Sequence, residues 1–324
     1  MRFGRPSLEW RDSPRLWKEF PLTLLPQCSA SGQLFDPSGN YLCTFKPIKN
    51  LGEGTFSTVD AFYRIDASGA KFPVALKRPK CPEFQLLYEA FFQWKLHSEL
   101  QEYGLGYTVP EVYDIFLEKR TEKVWFTMEK FEPIHVSSWC QAKLGAPEHK
   151  HYFICLLLQI ALVLEVYETA LRIDHKDLKL DNMMVVEKPI DVEVSWKGQT
   201  KTLTFPFRIV IIDFGFACKE YMVDLKWEDI PPLDPCPKEG RNIFQVLVSL
   251  WNIQPLRTSL ERTWGQWIRE RISLVFPSIA SVAMTESEKD LDWMYTFTDH
   301  NEFRAPLCAP KRVIVDCMRA LERQ

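Results

Sequence analysis

Short runs of alternating apolar and polar residues characterise residues 41–129, apart from one longer segment. Six of these runs have the period and the β-branched and aromatic content of strands: residues 41–48, 51–59, 61–65, 74–77, 109–118 and 124–129. The longer segment, residues 83–103, predicts a helix, because Pro82 precedes it and Gly104 follows it. We therefore expect a small antiparallel sheet with one helix.

Helical periodicity dominates after residue 131. A long helix is predicted from Pro147 to about residue 172, and its middle part is apolar on nearly all sides, as in a helix at the centre of a domain. Its most apolar run, residues 153–164, is too short to span a bilayer and contains Gln159, so we expect a buried helix.

A hairpin interrupts the helical pattern. Residues 191–196 and 200–205 alternate on either side of a short polar turn and predict two paired strands. An apolar strand at residues 208–212 follows, and the chain from about residue 240 predicts further helices.

The pattern divides the chain into three parts. Residues 1–40 contain five prolines and no sustained period, so they predict an irregular N-terminal extension. Residues 41–130 form the β-rich part, and residues 131–324 form the mainly helical part. A length of 324 residues agrees with about two domains.

Composition and charge narrow the choice of partners. With a net charge of −3, the chain has no overall positive charge that would attract nucleic acid or an anionic membrane. The nine cysteines are scattered and form no Cys-x-x-Cys pair, which indicates reduced thiols in an intracellular protein. The charged first twenty residues lack the apolar core of a signal peptide. We expect a soluble protein of the cytoplasm or nucleus, with no membrane or nucleic-acid partner.

The octapeptide at residues 175–182, His-Lys-Asp-Leu-Lys-Leu-Asp-Asn, has the residue spacing that phosphoryl transfer requires. Asp177 can accept the proton of an attacking hydroxyl, Lys179 can neutralise the migrating phosphoryl group, and Asn182 can hold a metal ion. Taken alone, the same octapeptide also fits a polar turn after a helix.

A glycine-rich turn lies between two predicted strands. Gly52 and Gly54, separated by one residue, let a backbone approach phosphate oxygens, and Ser57 stands where a third glycine is common. The segment is not a Walker-type loop, because no Gly-Lys-Ser/Thr follows it. A tight hairpin turn is the alternative interpretation.

Lys77 ends an apolar strand, and Glu89 lies on the apolar stripe of the following helix. Burial of an unpaired carboxylate costs several kcal/mol, so we expect Glu89 to pair with Lys77. Glu99 is the alternative acid, and an edge-strand lysine is the alternative interpretation of Lys77.

Asp213-Phe214-Gly215 follows the apolar strand 208–212 and offers a second carboxylate for a divalent ion. A strand that ends in an Asp-x-Gly turn is common, so this feature also has a purely structural interpretation. The glycine turn, the strand lysine, the helix glutamate, the octapeptide and this turn nevertheless occur in one order along the chain, which favours a common function.

With these motifs the chain resembles a protein kinase of the eukaryotic type from residue 41 to at least residue 250, and Lys179 is typical of the serine/threonine branch. The resemblance implies an α+β, two-lobed protein-kinase-like fold with a small antiparallel β N-lobe and a mainly helical C-lobe. It also implies transfer of the γ-phosphate of ATP, bound in the cleft, to Ser/Thr hydroxyls of protein substrates.

The resemblance implies a role for each matching residue. Catalytic roles fall to Asp177, Lys179, Lys77 and Glu89, with Lys77 on the α- and β-phosphates. The implied ATP-binding residues are Gly52, Gly54, Ser57, Val59, Ala75, Lys77, Met128, Glu129 and Met184, with Met128 as gatekeeper and Glu129 at the start of the hinge. Asn182 and Asp213 are the implied ligands of Mg²⁺ or Mn²⁺.

Several departures from the family pattern are visible. Lys176 replaces the arginine of His-Arg-Asp, no Ala-Pro-Glu follows, and Asn242 stands where an aspartate is expected. The hairpin is longer than usual and the C-terminal part is compact. Such streamlining is similar to kinases encoded by large DNA viruses, which would place the protein in a host cell or virion.

Three functional hypotheses remain open at this stage: an active kinase, a pseudokinase that serves as a scaffold, and a phosphotransferase for a small molecule. The missing Ala-Pro-Glu segment motivates the third. Between residues 215 and 240 the only hydroxyl side chain is Tyr221, so we expect activity that does not depend on phosphorylation of this activation segment. The candidate anionic partners of Lys176 are Glu220, Asp224, Glu228 and Asp229. The partner of the N-terminal extension and the oligomeric state stay open.

Overall fold

A computed structural model describes residues 4–81, 83–132, 134–144, 149–220, 236–273, 292–300 and 303–323. The chain divides into two compact units. The barrel unit comprises Met1–Gln101, Val109–Glu132 and Asp213–Gly215. The helical unit comprises Glu102–Thr108, Pro133–Ile212 and Phe216–Gln324.

Seven strands of the barrel unit form one closed barrel. They are β1 (Gln27–Cys28), β2 (Gln33–Phe35), β3 (Tyr41–Glu53), β4 (Ser57–Asp66), β5 (Lys71–Pro79), β6 (Val112–Glu118) and β7 (Lys123–Glu129). Their order around the barrel is β1-β2-β3-β4-β5-β7-β6. The short strand β1 closes the ring, because it pairs antiparallel with β2 and parallel with β6.

Apolar side chains of alternate strand positions fill the barrel. Val74 and Leu76 of β5, two residues apart on one face, belong to this core, and Ala75 and Lys77 on the other face are buried as well. Phe45 stacks on Phe116 with the ring centroids 5.3 Å apart. Two helices belong to this unit: α1 (Leu8–Asp12) and α2 (Leu87–Gln101). The second was predicted at residues 83–103, and it begins four residues later than that.

A buried ion pair ties the strands to the N-terminal segment. Arg64 and Asp114 are both almost completely buried, and Arg64 Nε donates to Asp114 Oδ2 at 2.9 Å. The backbone N–H of Gly4 and the hydroxyl of Thr127 also donate to this carboxylate, each at 2.7 Å. A Cβ at position 4 would lie 2.9 Å from Leu34 Cδ2, so the close approach requires glycine.

The helical unit carries short sheets and seven of the nine α-helices found in the described ranges. Its strands are β8 (Ile134–His135), β9 (Ile173–Asp174), β10 (Met183–Val186), β11 (Ile190–Trp196), β12 (Gln199–Phe205), β13 (Arg208–Ile211) and β14 (Cys218–Lys219). Its helices are α3 (Val136–Lys143), α4 (His149–Glu165), α5 (Arg241–Asn252), α6 (Gln254–Glu261), α7 (Gly265–Ser273), α8 (Asp292–Thr298) and α9 (Pro310–Leu321).

Strands β11 and β12 form the predicted hairpin in register from Ile190↔Phe205 to Trp196↔Gln199. Glu322, just after α9, accepts hydrogen bonds from Trp196 Nε1 and Lys197 Nζ, each at 2.8 Å. These contacts hold the end of the hairpin against the C-terminal helix of the same unit.

The apolar helix α4 forms the core of the helical unit, as predicted. Together with a π-helical turn it runs from His149 to Leu171, which is long and apolar enough to cross a membrane by length and composition alone. However, 72% of its most apolar window is buried inside the protein. This burial is typical of a core helix, since membrane-spanning helices expose apolar residues to lipid.

The predicted two-lobed protein-kinase-like fold is wrong. The sheet of the first unit is not small and antiparallel but a closed seven-stranded barrel, and nine α-helices accompany it in the described residues. The difference arises in the N-terminal extension, which was expected to be irregular. Its two short strands β1 and β2 satisfy the hydrogen bonds of the sheet edges, and the pairing of β1 with β6 adds a parallel contact.

The prediction that all nine cysteines are reduced thiols is wrong for one pair. Cys218 and Cys236 form a disulfide with their Cα atoms 6.6 Å apart, within the ordinary range for such bonds. The other seven cysteines are free, and all but Cys81 are buried. Their scattered sequence positions gave no sign of the pairing, because the two partners meet only in the folded unit.

Candidate active site

Lys77 lies at the centre of an ion cluster in the barrel unit. Its Nζ atom donates to Glu89 Oε1 at 2.6 Å and to Asp213 Oδ1 at 2.9 Å. Lys77 and Glu89 are only 6% and 3% exposed, whereas the Asp213 side chain is 45% exposed. The predicted pairing of Lys77 with Glu89 is therefore present, and Glu99 instead pairs with Lys95.

The members of this cluster shift one another's pKa values. Burial alone would lower the pKa of Lys77, but the nearby Glu89 and Asp213 outweigh it and raise this pKa. Burial, supported by Asp213, raises the pKa of Glu89 against the opposing effect of Lys77. Lys77 therefore stays charged in contact with both carboxylates.

The turn at residues 213–215 is anchored within the barrel unit. Asp213 has a φ of 65°, a left-handed conformation that aspartate tolerates better than most residues. Phe214 stacks on Phe92 of α2 with the centroids 6.0 Å apart, and its backbone N–H donates to Glu89. The same helix thus positions both the glutamate and the turn that follows β13.

Strand pairing brings four predicted nucleotide-binding residues to one face of the barrel. Val59 of β4 is directly opposite Lys77 of β5, and Ala75 of β5 is directly opposite Met128 of β7. Directly opposed residues share a face of a sheet, and so do residues two apart on one strand. Glu129, opposite Val74, lies on the other face, and its backbone N–H donates to Glu111 O at 2.8 Å.

The glycine-rich turn joins β3 to β4. The backbone N–H of Gly54 donates to Ser57 O at 2.8 Å, and the ring of Phe56 stacks on Phe84. Neither Gly52 nor Gly54 has a positive φ, and a Cβ at Gly52 would meet no atom within 4 Å. The fold itself therefore does not require glycine at these two positions.

In the helical unit, Asp177 accepts hydrogen bonds from several side chains. Asn182 Nδ2 donates to Asp177 Oδ2 at 2.8 Å and to its backbone oxygen at 2.7 Å. Lys179 Nζ lies 3.2 Å from the same carboxylate. The hydroxyl of Tyr295 on α8 donates to Asp177 Oδ1. The three predicted residues of the octapeptide are thus in direct contact.

Helix α5 supports the backbone of this loop. The backbone N–H of His175 donates to Asn242 Oδ1 at 3.2 Å, and that of Leu178 donates to Gln245 Oε1 at 2.9 Å. Gln245 Nε2 returns a hydrogen bond to Lys176 O at 2.7 Å. Asn242, noted above as a departure, still provides the oxygen acceptor that an aspartate would provide.

A second buried ion pair lies beside the loop. Asp174 and Arg241 are both fully buried, with Arg241 Nη2 2.8 Å from Asp174 Oδ2. The backbone N–H groups of Lys176 and Lys238 also donate to the Asp174 carboxylate, each at 3.1 Å. Lys176 has a φ of 65°, so Asp174 stabilises a loop conformation that lysine rarely adopts.

The predicted site residues divide between the two units. Lys77, Glu89 and Asp213 meet in the barrel unit, and Asp177, Lys179 and Asn182 meet in the helical unit. Met184 lies on β10 of the helical unit, opposite Val210. In the described part of the chain, no group of three or more His, Cys, Asp and Glu side chains could hold a metal. The two predicted metal ligands stay a prediction.

The contact of Tyr295 with Asp177 was not predicted from the sequence. Tyr295, on helix α8, lies 118 residues after Asp177 in the sequence, and no local spacing connects the two residues. Of the acids considered as partners of Lys176, Glu220 forms an ion pair with Arg172 at 3.0 Å. Asp224, Glu228, Asp229 and Tyr221 lie outside the described residues.

Comparison with known proteins supports a kinase-like interpretation of part of the chain. No curated protein matches the sequence. A family model described as "Poxvirus serine/threonine protein kinase" matches residues 118–228, about a third of the chain. The match includes Asp177, Lys179, Asn182 and Asp213 but not Lys77, Glu89 or the glycine-rich turn. Residues 118–228 are therefore similar to a viral serine/threonine kinase family.

Proposed function

We propose that this protein transfers the γ-phosphate of ATP to Ser/Thr hydroxyls of protein substrates. The observation that carries the proposal is the environment of Asp177. Its carboxylate contacts Lys179 and Asn182 and already accepts a hydrogen bond from a hydroxyl, that of Tyr295. A carboxylate that binds a hydroxyl in this way can take its proton as the oxygen attacks phosphorus.

The neighbours of Asp177 have complementary roles. The Lys179 ammonium, 3.2 Å from the carboxylate, supplies positive charge where negative charge develops during transfer. Asn182 fixes the orientation of Asp177, because its Nδ2 atom donates both to the carboxylate and to the backbone oxygen. This arrangement turns the nitrogen of the amide toward Asp177, which leaves the amide oxygen as the atom suited to a metal ion.

The barrel unit supplies the residues proposed for ATP. Lys77, held by Glu89, is assigned to the α- and β-phosphates, with Val59, Ala75 and Met128 on the same face for the adenine. Asp213 fits a divalent ion, because its carboxylate supplies oxygen donors and its side chain is 45% exposed. Bound Mg²⁺ would neutralise phosphate charge, as such ions do in phosphoryl transfer.

We expect phosphate transfer from γ-labelled ATP with Mg²⁺ to proteins in a mixed panel of proteins and metabolites, with label on serine or threonine. Label on metabolites alone would indicate a small-molecule phosphotransferase. ATP binding without any transfer would indicate a pseudokinase. Either of these two results would overturn the proposal.

Mg-ATP is expected to raise the melting temperature of the wild type, and this rise should be smaller for Asp213→Ala. Removal of this carboxylate eliminates the proposed metal ligand in the barrel unit. The exposed Glu83 provides a control, and Glu83→Ala should respond to Mg-ATP as the wild type does. An equal rise for Asp213→Ala and wild type would refute the metal assignment.

Gly52→Ala and Gly54→Ala are expected to weaken ATP binding without loss of stability. The added Cβ atoms fit the fold, since the nearest atom to a Cβ at Gly54 is Ser57 O at 3.7 Å. They would obstruct only a phosphate that approaches the backbone. Gly32→Ala, in contrast, is expected to lower stability. Gly32 has a φ of 79°, and an added Cβ would lie 2.7 Å from Phe45 O. Melting curves with and without Mg-ATP measure both effects, and unchanged ATP affinity would exclude the loop from the site.

A further inference from the structure

The hydroxyl of Tyr295 lies beside the two residues assigned to phosphate transfer. It donates to Asp177 Oδ1, and Lys179 Nζ lies 3.3 Å from the same hydroxyl oxygen. Lys179 Nζ is also 5.8 Å from the centre of the Tyr295 ring. A substrate hydroxyl ready to attack phosphorus would need the same two contacts, one to the general base and one to the cation.

Tyr295 is held there by the packing of α8 within the helical unit. Lys238 is fully buried, and its Nζ atom donates to the backbone oxygens of Thr298 and His300, each at 2.8 Å. Gln245, which also holds the catalytic loop, donates to the Thr298 hydroxyl at 3.4 Å. One set of buried polar side chains thus fixes both the loop and the helix that carries the tyrosine.

The phenol retains its proton in this position. Burial, together with the hydrogen bond to Asp177, raises the pKa of Tyr295 above its ordinary value. The hydroxyl is therefore the donor, and the carboxylate is the acceptor that could later take the proton.

We propose that Tyr295 is an intramolecular phosphate acceptor, a tyrosine modification site that the chain phosphorylates within the same molecule. The proposal rests on the proposed function, because it uses the same donor, ATP, and the same base. Tyr295 Oη would form a bond to the γ-phosphorus while the bond from that phosphorus to the β–γ bridging oxygen breaks. The phenolic proton passes to Asp177, and ADP is the leaving product.

Phosphorylation of Tyr295 would change the charge beside Asp177. A phosphate on Tyr295 adds about 1.5 to 2 negative charges beside the Asp177 carboxylate, which repels it. Lys179 is a single cation in contact with both groups and offsets only part of that charge. The modified ring is therefore expected to leave the carboxylate, which makes this position accessible to a substrate hydroxyl.

The test begins with full-length protein that has been treated with phosphatase and confirmed as unphosphorylated by intact mass. After incubation with Mg-ATP, tryptic peptide 290–304 is examined by fragment-ion mass spectrometry, which separates Tyr295 from Thr296 and Thr298, the other hydroxyl residues of the peptide. We expect phosphate on Tyr295, with a first-order rate that stays constant over a tenfold range of protein concentration.

Two variants sharpen the result. Tyr295→Phe keeps the ring and should lose about one phosphate per chain, with folding checked by its melting temperature. Tyr103→Phe is the control, because Tyr103 is exposed. In this variant Tyr295 should gain phosphate at the wild-type rate. Equal total incorporation in wild type and Tyr295→Phe would overturn the proposal, as would a rate that rises in proportion to protein concentration.

A protein substrate in the same reaction separates the two proposals. If that substrate is phosphorylated while Tyr295 stays unmodified, the acceptor role of Tyr295 is refuted and the proposed function stands. If neither the substrate nor Tyr295 gains phosphate, the proposed function fails and the acceptor role fails with it.

Discussion

Asp177→Asn is expected to lower the turnover of phosphate transfer by about 10²–10⁴-fold, the usual contribution of a general base. The substitution removes the proton acceptor but keeps one side-chain oxygen, which can occupy the Oδ1 position in contact with Lys179 and Tyr295. Asn182 Nδ2 loses its bond to Oδ2 but keeps its bond to the backbone oxygen of residue 177. The loop should therefore keep its structure. Affinity for ATP should change little, because Asp177 is not among the residues proposed to hold the nucleotide or its metal ion, such as Lys77, Asp213 and Asn182.

The measurement is kcat with labelled ATP and a protein substrate, together with the thermal shift caused by Mg-ATP. Asp181→Asn is a matched control, since Asp181 is an exposed aspartate of the same octapeptide. It should retain wild-type turnover. The role of Asp177 as base would be refuted if Asp177→Asn retained more than about a tenth of wild-type turnover. Such a loss corresponds to less than about 1.4 kcal/mol on the activation barrier.

Local patterns were sufficient where the interacting residues are close in sequence or lie on one periodic element. Glu89 was matched to Lys77 because a carboxylate on an apolar helix stripe needs a partner, and the structure contains that pair at 2.6 Å. Asn182 contacts Asp177 five residues earlier in the same loop. The first contact follows from the residue types and spacing alone, whereas the second was not predicted, because Asn182 was assigned to a metal ion.

The barrel could not be predicted in this way. Its closing strand β1 has two residues, too few for a periodic signal, and it pairs with Leu117 and Glu118 far along the chain. A segment of this length is defined by the free backbone groups of its neighbours and not by its own side chains. The five prolines of residues 1–40 therefore favour an irregular structure in the sequence, although they lie outside both short strands.

Contacts between distant segments explain what was missed at the site. Tyr295, Gln245 and Arg241 contact the loop at residues 174–182 from helices that begin 59 or more residues after the loop ends. Among the residues that support this loop from distant helices, only Asn242 stands out in the sequence, because the family resemblance implies an aspartate at that position. The side chain oxygen of asparagine accepts the His175 N–H without a charge, which suits a loop that already contains the buried Asp174 carboxylate.

Asp114→Ala is expected to lower the free energy of unfolding of the barrel unit by about 3–5 kcal/mol. The substitution leaves the Arg64 guanidinium buried without its carboxylate partner. It also removes the acceptor used by the Gly4 N–H and the Thr127 hydroxyl. The cost is large because these donors lie where water cannot replace the lost oxygen atoms.

Asp60→Ala provides the matched control in the same barrel. Asp60 accepts from Arg78 Nε at 2.8 Å, but the Arg78 side chain is 42% exposed, so this pair should contribute less than about 1 kcal/mol. Chemical denaturation, followed by the fluorescence of the barrel tryptophans, measures both variants. The double variant Arg64→Met/Asp114→Leu should recover part of the stability, because it removes the buried charge together with its partner. A loss for Asp114→Ala no larger than that for Asp60→Ala would show that the barrel does not depend on the buried pair.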